Sequence, residues 1–322
     1  MKSNAMKKIA FLVNRTIKNL EKTVAQIESE FQKHEVKFFY SDHSRHIEVL
    51  AETANDRGFK NLITVGGDGT LNETVNGIMN AFKKGLSNSI DSYDWDAIKE
   101  IKVGLIPAGT GNDFSKTIKL TNNINALRNL IEDDRFQSID IGWSSFFDKK
   151  EQPVQRFFIN ITDVGMGGVV VESMEKSKNP FLTGNAFYKY SIAKTFLTYD
   201  KSSVRCYNEY FDWKGKVMNF VIANGKYFGS GLGIAPDANI QDGKFSIVIL
   251  GDINIIDYFR YLGDVKKCKK ISHPEVAYHQ FEKISIESAD EKPLAIDMDG
   301  EFIGYAPMTL VNLSSKLNFF MP

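Results

Sequence analysis

From Met6 to about Ile141, short runs of strand-forming residues alternate with stretches whose apolar positions recur every three or four residues. KKIAFLVN leads into Leu20, Val24, Ile27 and Phe31 at helical spacing, then VKFFYS, the helical pattern HIEVLAETANDRG, NLITV, a helix from Leu71, and KVGLIP. Strands alternating with helices need crossover connections, so the pattern predicts a mostly parallel sheet packed with helices, an α/β domain. Around SIDIGWSS, residues 138–145, long β-rich segments take over: QRFFINITDVG, KVMNFVIANG, KFSIVIL, EKISIES, KPLAIDM and PMTLVNLSSKLNFFMP. These predict antiparallel β-structure, with helix near residues 186–199 and 254–270. The expected division is therefore 6–141 and 142–322, with no internal repeat and no low-complexity linker.

At 322 residues the chain suits two domains, given about 150 residues for each. Forty basic residues balance forty acidic ones, and this zero formal charge argues against nucleic acid as the main partner. Cys206 and Cys268 lie far apart without metal-ligand spacing, which reads as unpaired thiols in a reducing cytoplasm. The most apolar run, Phe157 to Val171, contains Asp163 and is shorter than the roughly 18 residues a membrane span requires, so no transmembrane segment is expected. MKSNA, ahead of Met6, has no apolar core after it and is expected to be an added remnant rather than a signal peptide. The run Lys266 to Lys270 reads as a solvated helix end complementing the helix dipole, with contact to an anionic membrane as the alternative.

In NLITVGGDGTLNETVNGIM, a buried-strand pattern breaks at Gly66, Gly67, Asp68 and Gly69 and resumes with helical period at Leu71, Val75, Ile78 and Met79. Thr70 and Glu73 have the spacing of a capping box, which predicts a helix starting right after the glycines with its first amides facing the loop. Such amides and the positive end of the dipole stabilise anions, and glycine lets a phosphate approach the backbone. Asp68 has no place beside a bare phosphate and is expected to reach Mg²⁺ or a reacting hydroxyl. KVGLIPAGTGNDFSKTI repeats the design with Gly109, Thr110, Gly111, Asn112 and Asp113. Two such loops at the strand ends of one sheet are expected to face one crevice. Neither loop is a Walker A motif or a dinucleotide fingerprint, and the protein-kinase H-R-D signature is absent.

The ordered set GGDGTLNE (Gly66 to Glu73), PAGTGNDFSK (Pro107 to Lys116), FGSGLGIAPDANIQDGKFSI (Phe228 to Ile247) and IDMDGEF (Ile296 to Phe302) resembles the diacylglycerol kinase catalytic family, and more narrowly its bacterial soluble lipid kinases. The resemblance implies an α/β N-terminal nucleotide-binding domain of the NAD kinase and phosphofructokinase arrangement, followed by a mainly antiparallel β-sandwich C-terminal domain. It implies that Gly66, Gly67, Asp68, Gly69, Thr70, Leu71 and Asn72 surround ATP, with Ser41 and Thr110 touching the nucleotide. The family's Asn-Pro-x-x-Gly phosphate loop is replaced by VNRTIKN, which keeps Asn14 but has Arg15 for proline and Asn19 near the missing glycine. Arg15 is a candidate to meet a phosphate directly.

Taken alone, APDANIQDGKFSI reads as a loop closed by the Asp242-Gly243 turn. The resemblance makes Asp242 a Mg²⁺ carboxylate, with carbonyls at Asn239 and Lys244 and Asp113 through water. In PLAIDMDGEFIG, an extended strand would put Asp297, Asp299 and Glu301 on one face, neighbours about 6 to 7 Å apart, whereas Asp-Gly is also the strongest hairpin signal. By resemblance Glu301 is the candidate general base and Asp299 orients it or shares the role, with Asp68 as the competitor. The implied activity is ATP-dependent transfer of the γ-phosphate to a lipid hydroxyl at a membrane surface, diacylglycerol giving phosphatidic acid by default. The expected setting is cytoplasmic and peripheral, and a homodimer is left open. The rivals are a kinase-dead nucleotide- or lipid-binding regulator of the same fold and an NAD kinase.

Overall fold

The computed structural model describes residues 6–85, 89–176, 194–195, 198–290 and 292–322. Most of the helix expected at 186–199 lies outside these residues. The chain divides into two units, one built from the chain up to Ile141 together with Ser314–Pro322, the other from Gly142–Leu313.

The first unit begins β1 (Lys8–Asn14), α1 (Leu20–Glu30), β2 (Glu35–Ser41), α2 (His46–Asp56), β3 (Asn61–Gly66) and α3 (Asp68–Ala81). It continues α4 (Trp95–Lys99), β4 (Lys102–Pro107), α5 (Asp113–Thr117) and α6 (Ile124–Glu132). β2, β1, β3 and β4 pair in that order, all parallel. Ile9 to Val13 are completely buried, the continuous apolar run of a strand covered on both faces. Ile9, Phe11 and Val13 meet Ile27 and Phe31 of the α1 segment and Ile124, Leu127 and Ile131 of α6. On the other face α2 and α3 cross so closely at Gly77 that a Cβ there would lie 2.2 Å from the Glu48 carbonyl oxygen.

The second unit runs from within β5 (Gln137–Asp148) through β6 (Pro153–Phe158), β7 (Ile161–Gly165), α7 (Met166–Lys176), β8 (Ser202–Tyr207), β9 (Asp212–Val217), β10 (Asn219–Ala223) and β11 (Phe245–Leu250). α8 (Ile255–Lys266), β12 (Val276–Phe281), β13 (Lys283–Ser288), β14 (Ala295–Met298) and most of β15 (Glu301–Phe319) complete it. β12, β11, β10, β7, β14 and β15 pair antiparallel in that order, and β13, β8 and β9 extend from β15. Phe158 and Phe245 stack in the main core at 5.4 Å. A second apolar cluster joins Val221, Val248 and Leu250 to Ile253 and Val265 beside α8. The unit is a β-sandwich, and the first is an α/β domain around a parallel sheet.

The last residues depart from the expected 142–322 assignment. Asn318 and Phe319 pair in parallel with Lys102 and Val103 of β4, and the Phe320 amide donates to the Val103 carbonyl at 2.7 Å. The cause is apolar: Phe319 and Phe320 are completely buried, and Phe319 meets Phe114 edge-on at 5.4 Å. Each such side chain contributes about 1.5–3 kcal/mol when removed from water. Among the described residues no helix is long and apolar enough to cross a membrane.

Candidate active site

β3 ends at Gly66 and α3 starts at Asp68 with Gly67 as its N-cap, two residues before Thr70. The expected capping box does not form. The two Glu73 carboxylate oxygens accept the Arg45 and Ile47 amides, each at 3.0 Å, and so tie down the start of α2. Thr70 Oγ1 instead accepts from Asn14 Nδ2 at 3.2 Å, which brings the ends of β1 and β3 together. Leu71 and Asn72 are sealed inside, and the Leu71 amide is taken by the Gly67 carbonyl. Because first-turn amides have no intrahelical acceptor, those of Gly67 to Thr70 are the ones free to meet an anion.

The two glycine turns do meet. A Cβ on Gly109 would lie 2.4 Å from the Gly67 Cα, so the loops touch backbone to backbone and neither position tolerates a side chain. The Ala108 amide donates to the Gly66 carbonyl at 2.8 Å. Asn112, held at positive φ, accepts the Gly109 amide and donates to the Gly109 carbonyl, each at 2.9 Å. Asp68 completes the clamp: its two oxygens accept the Asp113 and Phe114 amides, each at 2.9 Å. Burial raises the Asp68 carboxyl above the usual carboxylate range, and these two amides pull it back. Both Asp68 oxygens serve the second loop, so the residue expected to reach a cation or a hydroxyl also ties the two glycine turns together. Asp113 is itself buried and paired with Lys116 at 2.7 Å. Thr110 is exposed on the loop, and Ser41 lies beside Asn14 in the β1–β2 register.

The altered first loop has its own turn. Asn14 Oδ1 accepts from the Thr16 amide at 2.9 Å and the Thr16 hydroxyl at 2.8 Å, a side-chain-closed turn where proline is missing. Asn19 takes the positive φ that glycine would supply. Arg15 is exposed, 3.3 Å from Asp42 and over the Tyr40 ring.

In the second unit Asp299 and Gly300 form a two-residue hairpin turn, both at positive φ, with Met298 opposite Glu301. The extended row of three carboxylates is therefore corrected: positive φ at both central positions is the geometry Asp-Gly favours, and it folds the strand back. Asp299 is buried and accepts the amides of Ile159, Asn160 and Ile161 at 2.9 to 3.1 Å, which ties the hairpin to the β6–β7 connection. The Glu301 side chain keeps 35% exposure and lies 3.7 Å from Arg156, which is nearly buried. No local sequence signal marks Arg156, because only the pairing of β5 with β6 and β15 brings it near Glu301.

Asp242 is exposed, with Oδ1 accepting the Lys244 amide at 3.1 Å, and Asn239 Oδ1 accepts the Gln241 amide at 3.1 Å. These side chains shape the loop, leaving one Asp242 oxygen and the main-chain carbonyls as donors. An all-oxygen set with few carboxylates fits a hard divalent cation that keeps much of its water. No cluster of three histidine, cysteine, aspartate or glutamate side chains able to hold a metal occurs among the described residues.

A cavity of about 90 Å³ opens in the same unit beside α7 and α8. Met166, Val170, Leu232, Tyr258, Tyr261 and Leu262 are among its mostly apolar walls, and Asp297 also borders it. Opposite Asp297 on β7 is Asp163, a buried acid within an otherwise apolar run.

Residues 8–144 match the family model described as diacylglycerol kinase catalytic domain, and residues 161–321 match the YegS C-terminal NAD kinase beta sandwich-like domain. The diacylglycerol kinase of Staphylococcus carnosus (strain TM300) is 26% identical over 276 residues, 85% of this chain and 80% of that protein. That of Staphylococcus aureus (strain Newman) is 26% identical over 274 residues, covering 84% and 78%. Among solved structures, a diacylglycerol kinase from Bacillus anthracis str. Sterne superposes with TM-score 0.67 at 16% identity, covering 98% of this chain and 97% of that one. Yeast NADH kinase reaches TM-score 0.50 at 7% identity, covering 98% and 83%, a likeness of fold alone.

Proposed function

This chain belongs to the diacylglycerol kinase catalytic domain family and is a lipid kinase, and from that premise we propose that it transfers the γ-phosphoryl group of ATP to the free hydroxyl of diacylglycerol, giving phosphatidic acid and ADP. The observation that carries the reading is the backbone contact of Gly67 with Gly109, locked by Asp68. Two turns stripped of side chains leave amides open to a triphosphate, which suits positioning and electrostatic stabilisation of a transferring phosphoryl group.

In this reading Glu301 accepts the alcohol proton as the new P–O bond forms and the bond to the ADP oxygen breaks. Asp299 fixes the hairpin that carries Glu301, and Arg156 orients its carboxylate. Asp242, with the carbonyls of Asn239 and Lys244, would hold Mg²⁺, whose charge would offset that of the surrounding oxygens. The apolar cavity beside α7 and α8 supports an acyl chain as part of the acceptor.

Purified chain incubated with γ-labelled ATP and a panel of diacylglycerol, sphingoid base and NAD tests the proposal. Labelled phosphatidic acid is the expected product. Label in NADP, in another lipid only, or in none would overturn it.

A further inference from the structure

We propose that the outer face of α8 docks the protein onto an anionic bilayer, an inference that rests on the lipid kinase reading and specifies where the lipid is met. The inner face of the helix, through Tyr258, Tyr261, Leu262 and Val265, walls the apolar cavity. The outer face carries Ile256 at 69% and Phe259 at 64% exposure, three residues apart and so adjacent on the helix surface. A single exposed apolar residue is ordinary, but two large ones side by side on one helix, followed by cations, form the pattern of an interfacial helix. Asn254 Oδ1 accepts the Ile256 and Asp257 amides at 2.9 and 3.0 Å, so the start of the helix and the direction of Ile256 are fixed.

The charges choose the occupant. Arg260, Lys266 and Lys267 follow Ile256 and Phe259 along the exposed stripe, with Lys269 just beyond the helix. Lys266, Lys267 and Lys269 have no ionic partner among the described residues. Lys270, by contrast, is paired with Asp237, and Arg260 lies 3.3 Å from Asp257, which turns inward toward His273. Unpaired cations beside protruding apolar groups complement anionic headgroups over an acyl layer. The same stripe opposes pairing with a second copy of itself, since two basic faces would meet. Because the docking helix is also a cavity wall, a lipid drawn from the bilayer needs little passage through water.

The test is co-sedimentation of the full chain, without ATP, with vesicles of phosphatidylcholine and phosphatidylglycerol in equal parts and with vesicles of phosphatidylcholine alone. The unaltered chain should pellet with the anionic vesicles and be released by salt. Ile256→Asp/Phe259→Asp and, separately, Lys266→Glu/Lys267→Glu should each lower the bound fraction about tenfold at unchanged thermal midpoint. Neither pair should alter turnover of a short-chain lipid dispersed in detergent. Retention of vesicle binding by either pair, absence of binding by the unaltered chain, or conversion of a dimer to a monomer by the aspartate pair would overturn the proposal. Vesicle binding without labelled lipid would sink the substrate reading and leave this surface standing, so the two failures are separable.

Discussion

Asp163 and Asp297 stand directly opposite each other on the antiparallel strands β7 and β14, the first 1% exposed and the second bordering the apolar cavity. Burial pushes the Asp163 carboxyl up to about 7, and burial together with the Asp163 charge holds Asp297 well above the carboxylate range. Asn219 and the Gly168 amide offset part of the effect on Asp163. Like charges facing across a ladder repel, so the pair keeps a proton.

A group that binds its proton more tightly folded than unfolded stabilises the fold while protonated. The second unit should therefore be more stable at acidic pH and lose stability as pH rises from the ordinary carboxylate range through about 7. Thermal midpoints from about pH 5 to pH 8 should fall for the unaltered chain and flatten in Asp163→Asn. An unchanged slope in that variant would show that the pair does not hold the proton.

Asp68→Asn should loosen the clamp, because one amide of the second loop loses a carboxylate oxygen and faces an NH₂ group. A stability loss of about 1–3 kcal/mol in urea unfolding is expected, with a raised KM for ATP. Loss of turnover with stability and KM intact would instead make Asp68 the base.

Glu301→Gln should lower kcat by about 10²–10⁴ while leaving ATP binding and unfolding unchanged. Asp299→Asn should behave differently, losing stability as well as turnover, because three backbone amides lose their shared carboxylate. Intact turnover in Glu301→Gln would pass the proton to Asp68.

Arg15→Ala removes a cation from the Asn14 turn without touching a buried contact. ATP affinity should drop severalfold if the guanidinium meets a phosphate, and isothermal titration with unchanged affinity would dismiss that contact.

Phe319→Ala should cost about 3–5 kcal/mol, seen as a lower urea midpoint of the first unit, because the side chain is completely buried against Phe114.

The alternation of strands and helices before residue 141 was legible because parallel strands buried on both faces read as apolar runs, as Ile9 to Val13 do. The paired glycine turns were legible too, since a side chain at Gly67 or Gly109 would collide with the opposite backbone. Thr70 and Glu73 misled because local spacing says nothing of Arg45 and Ile47, which lie 28 and 26 residues from Glu73 and win its carboxylate. The Asp297, Asp299 and Glu301 row gave way to the turn signal already present in Asp-Gly. Arg156 and the Asp163–Asp297 pair depend on strand order and register, which periodicity alone does not contain.

The return of Phe319 and Phe320 to β4 sets an order of assembly. A ribosome must release the entire second unit before the sheet of the first can be sealed, so the nascent nucleotide domain waits with an open apolar edge. Chaperone demand during synthesis should therefore centre on β4, and its relief should coincide with the emergence of Ser314–Pro322.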